Sequence, residues 1–172
     1  DGSSHDQQIA ACTKIIKSGK VKPPHHGDYY ATRGAAYFAK GDLNNALSDL
    51  TTAIGVRKAG EFYFQRSLVQ MARKDLEGAK ADLAEVIKLK PEFAPAYFMR
   101  GLVAYTSADY SEALTFFESA VQRRPTYVQA IYARGVVKKK LGDEPGSKKD
   151  TSDAIGMSPK VGEEMEKLGL TL

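Results

Sequence analysis

Several features that mark particular protein classes are missing from this 172-residue sequence. It has no tryptophan, and its single cysteine, Cys12, cannot form a disulfide within the sequence. No stretch approaches the ~20 consecutive apolar residues that a membrane-spanning helix requires. The three histidines, His5, His25 and His26, all lie near the start, and no set of cysteine or aspartate ligands accompanies them as a zinc site would require. We therefore expect no metal site, no cofactor and no membrane span.

Catalytic motifs are also missing. No glycine-rich loop follows a strand pattern, so the signatures of dinucleotide and phosphate binding are absent. Carboxylate pairs such as Glu163 and Glu164 fall on polar stretches that are typical of a solvated helix surface. The sequence therefore predicts a protein that is not an enzyme.

Positive charge is not concentrated in one part of the sequence. The 25 Lys and Arg residues are interspersed with 21 Asp and Glu residues, which leaves a net charge of +4. A protein that binds nucleic acid usually gathers its positive charge on one face, and here only the lysines between residues 138 and 149 cluster. A nucleic acid is therefore not the expected partner. Binding of an anionic surface through these lysines remains an alternative that predicts a steep salt dependence.

What the sequence does contain is an internal repeat with a period of 34 residues, or 33 at its first step. A fixed period of this length indicates stacked helical units, none of which can bury its apolar face alone. The positions that keep the spacing are Arg33, Arg66, Arg100 and Arg134; Gly34, Ser67, Gly101 and Gly135; Asp42, Asp75, Asp109 and Asp143; Ala46, Ala79, Ala113 and Ser147; and Pro91, Pro125 and Pro159.

The residue types within one period predict a pair of helices. Residues 96–105 carry apolar side chains at the spacing of a helix with a broad buried face. The small residue in the middle of this helix, Gly101, indicates close approach of the second helix, since glycine otherwise costs ~1 kcal/mol there relative to alanine. Asp109 can cap the second helix by accepting hydrogen bonds from free backbone N–H groups. Pro125 then ends it.

This pattern resembles the tetratricopeptide repeat (TPR) family, and more loosely its small bacterial members. The resemblance covers residues 27–159 and implies an all-α fold. In that fold, about four antiparallel helix pairs form a right-handed superhelical solenoid whose first helices line a concave groove. The implied TPR units are residues 27–59, 60–93, 94–127 and 128–159.

The two ends are predicted to cap the stack. Residues 1–26 would hold an N-terminal half-repeat helix at 6–17, followed by an extended linker at 18–26. Residues 160–172 would form a C-terminal capping helix with Val161, Met165 and Leu168 on one apolar face. The sequence begins at Asp1 without methionine, which a removed export signal or cloning would explain equally. Both the cytoplasm and the periplasm of a bacterium therefore remain open.

Apolar side chains on the first helices keep the same register from repeat to repeat. By resemblance to the family, they would line the concave groove; the alternative is that they are core residues with no binding role. The first repeat has small residues, Ala31 and Ala35, at two of these positions. The predicted groove residues are Phe38, Phe64, Leu68, Met71, Phe98, Leu102, Tyr105, Tyr132, Val136 and Lys139.

The predicted function is a protein–protein interaction scaffold that binds a peptide or an amphipathic segment in this apolar groove. The alternative is a structural self-assembly module, a homo-oligomer in which the groove accepts a neighbouring chain or its own N-terminal segment. Family members that bind a C-terminal carboxylate present Lys, Arg and Asn side chains in the groove. This sequence has apolar residues such as Phe64 and Leu68 there, so carboxylate recognition is not expected.

Overall fold

The computed structural model describes residues 2–20 and 25–172, and within those ranges the regular structure consists of ten helices and no strand. This confirms the all-α prediction. The helices are α1 Gly2–Ser18, α2 His26–Ala39, α3 Leu43–Val56, α4 Gly60–Ala72, α5 Leu76–Leu89, α6 Ala94–Thr106, α7 Tyr110–Arg123, α8 Val128–Lys140, α9 Glu144–Met157 and α10 Val161–Glu166. None of the described helices has the length and apolar character needed to cross a bilayer.

The four recurring aspartates cap the second helix of each pair, as the repeat predicts. In every case a carboxylate oxygen accepts a hydrogen bond from the backbone N–H three residues later, at 2.9–3.1 Å. Such a cap satisfies one of the backbone donors that the first turn of a helix leaves free. The capped helices are α3, α5, α7 and α9, and their capping residues are Asp42, Asp75, Asp109 and Asp143.

The turn within each helix pair needs one residue in the left-handed region, immediately before the capping aspartate. Gly41 and Gly142 fill this position in the first and last pairs, with φ of 78° and 86°. Lys74 and Ala108 fill it in the middle pairs, with φ of 63° and 58°. Because a Cβ atom is strained at such angles, the middle turns are held by the flanking helices rather than by local preference.

The chain divides into two compact units, and the first, Asp1–Pro91, contains α1–α5. In it α1 packs on α2, while α2 pairs with α3 and α4 with α5. The core is built mainly from small and branched side chains of α3 and α4, among them Ala46, Leu50, Ala53 and Val69, which are fully buried. Small residues in the core allow neighbouring helices to approach closely.

The second unit, Glu92–Leu172, contains α6–α10. Here α6 pairs with α7 and α8 with α9, and the short α10 packs on α8. Its largest fully buried side chain is Phe117, and residues after the last helix pair also become fully buried: Val161, Met165 and Leu170. These three C-terminal side chains are therefore part of the packed interior of this unit.

Two predictions about the ends need correction. The N-terminal helix is longer than residues 6–17, since α1 extends from Gly2 to Ser18. The predicted linker, residues 18–26, is shorter, because α2 begins at His26; residues 21–24 of it lie outside the described ranges. The first helix does cover the next one as a cap should, with Cys12 buried and the Thr13 hydroxyl oxygen accepting a hydrogen bond from Arg33 Nη1 at 2.9 Å.

Candidate partner-binding surfaces

The first unit presents an apolar surface on its two first helices, α2 and α4. We call it the first-helix face of the first unit, and define it by Phe38, Phe64, Leu68 and Met71, all of which are partly exposed. A pocket of about 140 Å³ opens on this face. The structure brings Phe38 and Leu68 together in its wall, whereas Phe64 and Met71 lie outside it. The residues that line the pocket are Ala35, Phe38, Leu50, Gln65, Leu68 and Val69.

The size and lining of the pocket limit what can enter it. An apolar cavity of about 150 Å³ holds a molecule the size of benzene, so this pocket fits one aromatic or branched apolar side chain. Gln65 supplies its one polar lining side chain. The Oε1 atom of Gln65 is buried and accepts no hydrogen bond from the part of the chain that the structure describes. The pocket thus combines an apolar wall with a polar group that lacks a donor.

The corresponding surface of the second unit, on α6 and α8, is mostly covered. We call it the first-helix face of the second unit; its predicted groove residues are Phe98, Leu102, Tyr105, Tyr132, Val136 and Lys139. Four of these are buried, with exposed fractions of 5% for Phe98 and Leu102, 3% for Tyr132 and 0% for Val136. Of the other two, Tyr105 is partly exposed and Lys139 is exposed.

Part of this cover, at Tyr132, comes from residues 161–172, which we call the C-terminal segment; its helix α10 packs on α8 and α9. A Cβ atom added to Gly162 would lie 3.4 Å from the Tyr132 hydroxyl, so the backbone of α10 lies directly against that ring. Burial raises the pKa of Tyr105 on α6 above its ordinary value, and the backbone of Thr171 offsets part of that rise. Burial, followed by the negative charge of Glu166, raises the pKa of Tyr132 above its ordinary value. The segment therefore covers the Tyr132 ring on α8.

Phe98 is buried for a different reason. Its ring centroid lies 5.7 Å from that of Phe117 and 5.2 Å from that of Tyr127, both in tilted arrangements that favour aromatic contact. Phe98 is therefore buried in the core between α6 and its neighbours.

The turn after α10 decides which C-terminal side chain is buried. The Leu170 N–H donates to the Met165 carbonyl oxygen at 3.0 Å and the Gly169 N–H donates to that of Glu166 at 2.9 Å, with Gly169 at a φ of 81°. This is the hydrogen-bond pattern of a Schellman motif, which ends a helix and turns the next apolar residue back onto it. Leu170 is consequently 0% exposed and Leu168 is 53% exposed. The prediction of Leu168 on the buried face was wrong, because α10 ends at Glu166.

Three of the four recurring arginines form two-bond ion pairs with an aspartate, which the sequence analysis missed. Each guanidinium donates two hydrogen bonds, of 2.6–2.8 Å, to an aspartate 16 residues later on the second helix of the same pair. An aspartate in register with the repeat was the signal that could have revealed them. The pairs are Arg33–Asp49, Arg66–Asp82 and Arg134–Asp150.

The third repeat replaces this ion pair. Phe116 stands at the position of the aspartate, and the Arg100 guanidinium carbon lies 4.7 Å from the centre of its ring. Arg100 Nη2 donates instead to Glu112 at 2.8 Å. The arginines thus join first and second helices, and their recurrence reflects packing within each pair.

With this geometry established, the relation to known proteins can be stated. Residues 27–59, 60–93 and 94–127 each match the sequence model of the tetratricopeptide repeat. The chain belongs to the tetratricopeptide repeat family. No curated protein shows a significant sequence match to it.

Solved structures of other TPR proteins share the fold. A crystal structure of MamA aligns with a TM-score of 0.82 at 21% identity, over 92% of this chain and 91% of that one. YrrB, described as a TPR protein with an unusual peptide-binding site, aligns with a TM-score of 0.75 at 17% identity, over 96% and 84% of the two chains. The first TPR of Spaghetti (RPAP3), bound to the HSP90 peptide SRMEEVD, aligns with a TM-score of 0.65 at 18% identity, over 67% and 93%. At these identities the likeness shows the TPR fold alone.

Two lysines of the basic cluster in the last TPR helix pair are engaged in ion pairs. Lys138 Nζ lies 2.8 Å from Asp150, and Lys149 Nζ lies 2.7 Å from Asp153. Burial opposes ionisation of Asp150, but hydrogen bonds from Arg134 and Lys138 outweigh it and hold the pKa of that carboxyl below its ordinary value. The local positive charge is therefore partly neutralised within the TPR fold itself. Among the described residues, no group of three or more His, Cys, Asp or Glu side chains is placed to bind a metal ion.

Proposed function

We propose that this TPR protein is a non-catalytic scaffold that binds a peptide or amphipathic segment of a partner on the first-helix face of the first unit. The observation that carries the proposal is the open apolar pocket between α2 and α4. A concave site with an apolar wall and one polar group is the common form of a ligand site. Here its volume suits a single side chain, so the pocket would accept one apolar anchor residue of a longer segment.

The residues around the pocket would add to the anchor. Full burial of one Leu or Phe side chain contributes about 1.5–3 kcal/mol, which is too little for stable binding by itself. Phe64 and Met71, partly exposed on the same face, offer further apolar contacts beside the pocket. Interfaces commonly have this arrangement, in which a buried anchor is surrounded by contacts that exclude water.

The chemistry of the pocket favours an apolar ligand over an acidic one. The peptide bound to the first TPR of Spaghetti, SRMEEVD, carries three acidic residues. The pocket in this chain is lined by no cationic side chain. The buried Gln65 Oε1 still lacks a hydrogen-bond donor, and a peptide N–H could donate to this amide if it rotates toward the pocket. We therefore expect the ligand to place an apolar side chain in the pocket and to donate a backbone N–H, from the residue before or after it, to the Gln65 amide.

The test is selection of displayed 12-residue peptides on the purified chain, followed by affinity measurement with synthetic, labelled peptides. The double variant Phe38→Ala and Leu68→Ala should weaken binding at least about tenfold, since each truncation removes apolar contact and 1.4 kcal/mol corresponds to a factor of ten. Leu89→Ala is the matched control, because Leu89 is an exposed leucine in α5 of the same unit. Unchanged affinity in the double variant, or equal losses in both variants, would contradict the proposed site.

Self-assembly remains the second candidate, because α9 exposes two large apolar side chains, Ile155 at 44% and Met157 at 55%. Exposed apolar surface of this kind can mark an interface. Sedimentation velocity over a concentration range separates the two functions. Mass that grows with the concentration of the chain alone indicates homo-oligomers, whereas a scaffold for another protein stays at one mass.

A further inference from the structure

We propose that the pocket of the first unit takes up a leucine side chain of the partner segment, and that Ala35 is the residue that determines this selectivity. The inference rests on the proposed function, because it names the anchor residue for the same pocket. It is argued from a comparison of the pocket with the equivalent positions in the later helix pairs of the chain.

The first step is the register of Ala35 in the repeat. Ala35 lies on α2 and lines the pocket. Its equivalents on the later first helices, 33 residues on and then every 34 residues, are Leu68, Leu102 and Val136. All three equivalents are branched aliphatic residues, and none is aromatic. The first helix pair therefore has a small side chain at a position where the other pairs carry a leucine or valine.

The second step is that the second unit shows the corresponding site in a filled state. There Leu102 stands at the position of Ala35, and it is 5% exposed. A leucine of the chain itself thus occupies the space that corresponds to the open pocket. The six lining positions of the pocket correspond in the second unit to residues that are all buried except the second, which is partly exposed: Leu102, Tyr105, Phe117, Ala133, Val136 and Val137.

The third step is the size of the pocket, which has a volume of about 140 Å³. Replacement of one buried leucine by alanine in a packed core can leave a cavity of about 150 Å³, which takes up a small apolar molecule. Two other size differences act in opposite directions. Leu50 is smaller than its equivalent Phe117, whereas Gln65 is larger than the alanine at its equivalent position. The space that remains has the volume of one missing leucine side chain.

The test measures selectivity for the anchor with three small probes, N-acetyl-leucinamide, N-acetyl-phenylalaninamide and N-acetyl-alaninamide. Binding to the full chain is followed through the methyl resonances of Leu68 and Val69, which line the pocket. Each buried CH₂ group contributes about a factor of four in affinity. The leucine probe should therefore bind at least about tenfold more tightly than the alanine probe, and it should also bind more tightly than the phenylalanine probe.

The variant Ala35→Leu fills the pocket from within the chain. It should weaken binding of N-acetyl-leucinamide at least about tenfold, and it should raise the midpoint of thermal unfolding by about 2–4 °C because it fills a cavity. Ala39→Leu is the matched control, since it adds the same side chain to the same helix at an exposed position. We expect this control to bind the leucine probe as the wild-type chain does.

Failure of this inference and failure of the proposed function give different results. If selected peptides depend on Phe38 and Leu68 but bind Ala35→Leu as tightly as the wild-type chain, the site stands and its leucine selectivity is refuted. Preference for the phenylalanine probe, or a lower thermal midpoint in Ala35→Leu, would also overturn the inference. If no peptide binds while N-acetyl-leucinamide enters the wild-type pocket and is excluded by Ala35→Leu, the selectivity is supported and the peptide-binding function is refuted.

Discussion

The close approach of α6 and α7 can be tested by adding a single methyl group. A Cβ atom on Gly101 would lie 2.5, 2.6 and 2.9 Å from three ring atoms of Phe117, well inside van der Waals contact. The ring cannot move away easily, because Phe117 is 0% exposed and packs against Phe98. We therefore expect Gly101→Ala to destabilise the second unit although alanine is the better helix former.

The magnitude follows from two opposing terms. Overpacking of a filled core costs about 1–3 kcal/mol, and the contact distances at Gly101 favour the upper part of that range. Replacement of glycine by alanine inside a helix contributes up to about 1 kcal/mol of stability. The net expectation for Gly101→Ala is a loss of about 1–2 kcal/mol in the free energy of unfolding.

A control in the same unit isolates the packing term. A Cβ atom on Gly156 in α9 would meet nothing within 4 Å, so Gly156→Ala should be neutral or stabilising. Urea denaturation followed by circular dichroism gives both midpoints, and Phe117→Leu combined with Gly101→Ala should recover part of the loss. If Gly101→Ala were as stable as Gly156→Ala, the inference of close packing at this crossing would be refuted.

Two further predictions concern the ion pairs between first and second helices. Asp82→Ala leaves the Arg66 guanidinium without its main acceptor and should lower the free energy of unfolding by about 3 kcal/mol. Glu85→Ala is the control, because it removes an exposed 4.0 Å pair from the same helix and should cost less than about 0.5 kcal/mol. Similar urea midpoints for the two variants would contradict this prediction. Because the folded pKa of Asp150 is below its ordinary value, its carboxylate stabilises the fold at pH values above about 4. That contribution should be lost as the pH falls through the folded pKa, and Asp150→Asn should show a shallower loss of stability in acid.

The sequence alone predicts the architecture well because repetition supplies independent evidence at each period. The capping role of Asp109 could be predicted from its place before a second helix, and the structure shows the same cap at every period. The close approach of α2 and α3 at Gly34 is also found, since a Cβ atom added to Gly34 would lie 3.2 Å from the Ala46 carbonyl oxygen. The left-handed turns at Lys74 and Ala108 could not be predicted, since neither residue type favours that conformation.

The candidate surfaces depend on information that the repeat does not contain. Leu68 and Leu102 stand at equivalent positions and have the same side chain, yet one lines an open pocket and the other is 5% exposed. Periodicity cannot separate them, because it reports which side of a helix a residue occupies and not what lies against that side. Tyr132 of the second face is covered by residues 161–172, beyond the last full repeat, and their path depends on a glycine turn rather than on a helical spacing. Register therefore predicts which side of a helix a residue occupies, whereas its exposure depends on what packs against that side, including the non-repeating residues after the last helix pair.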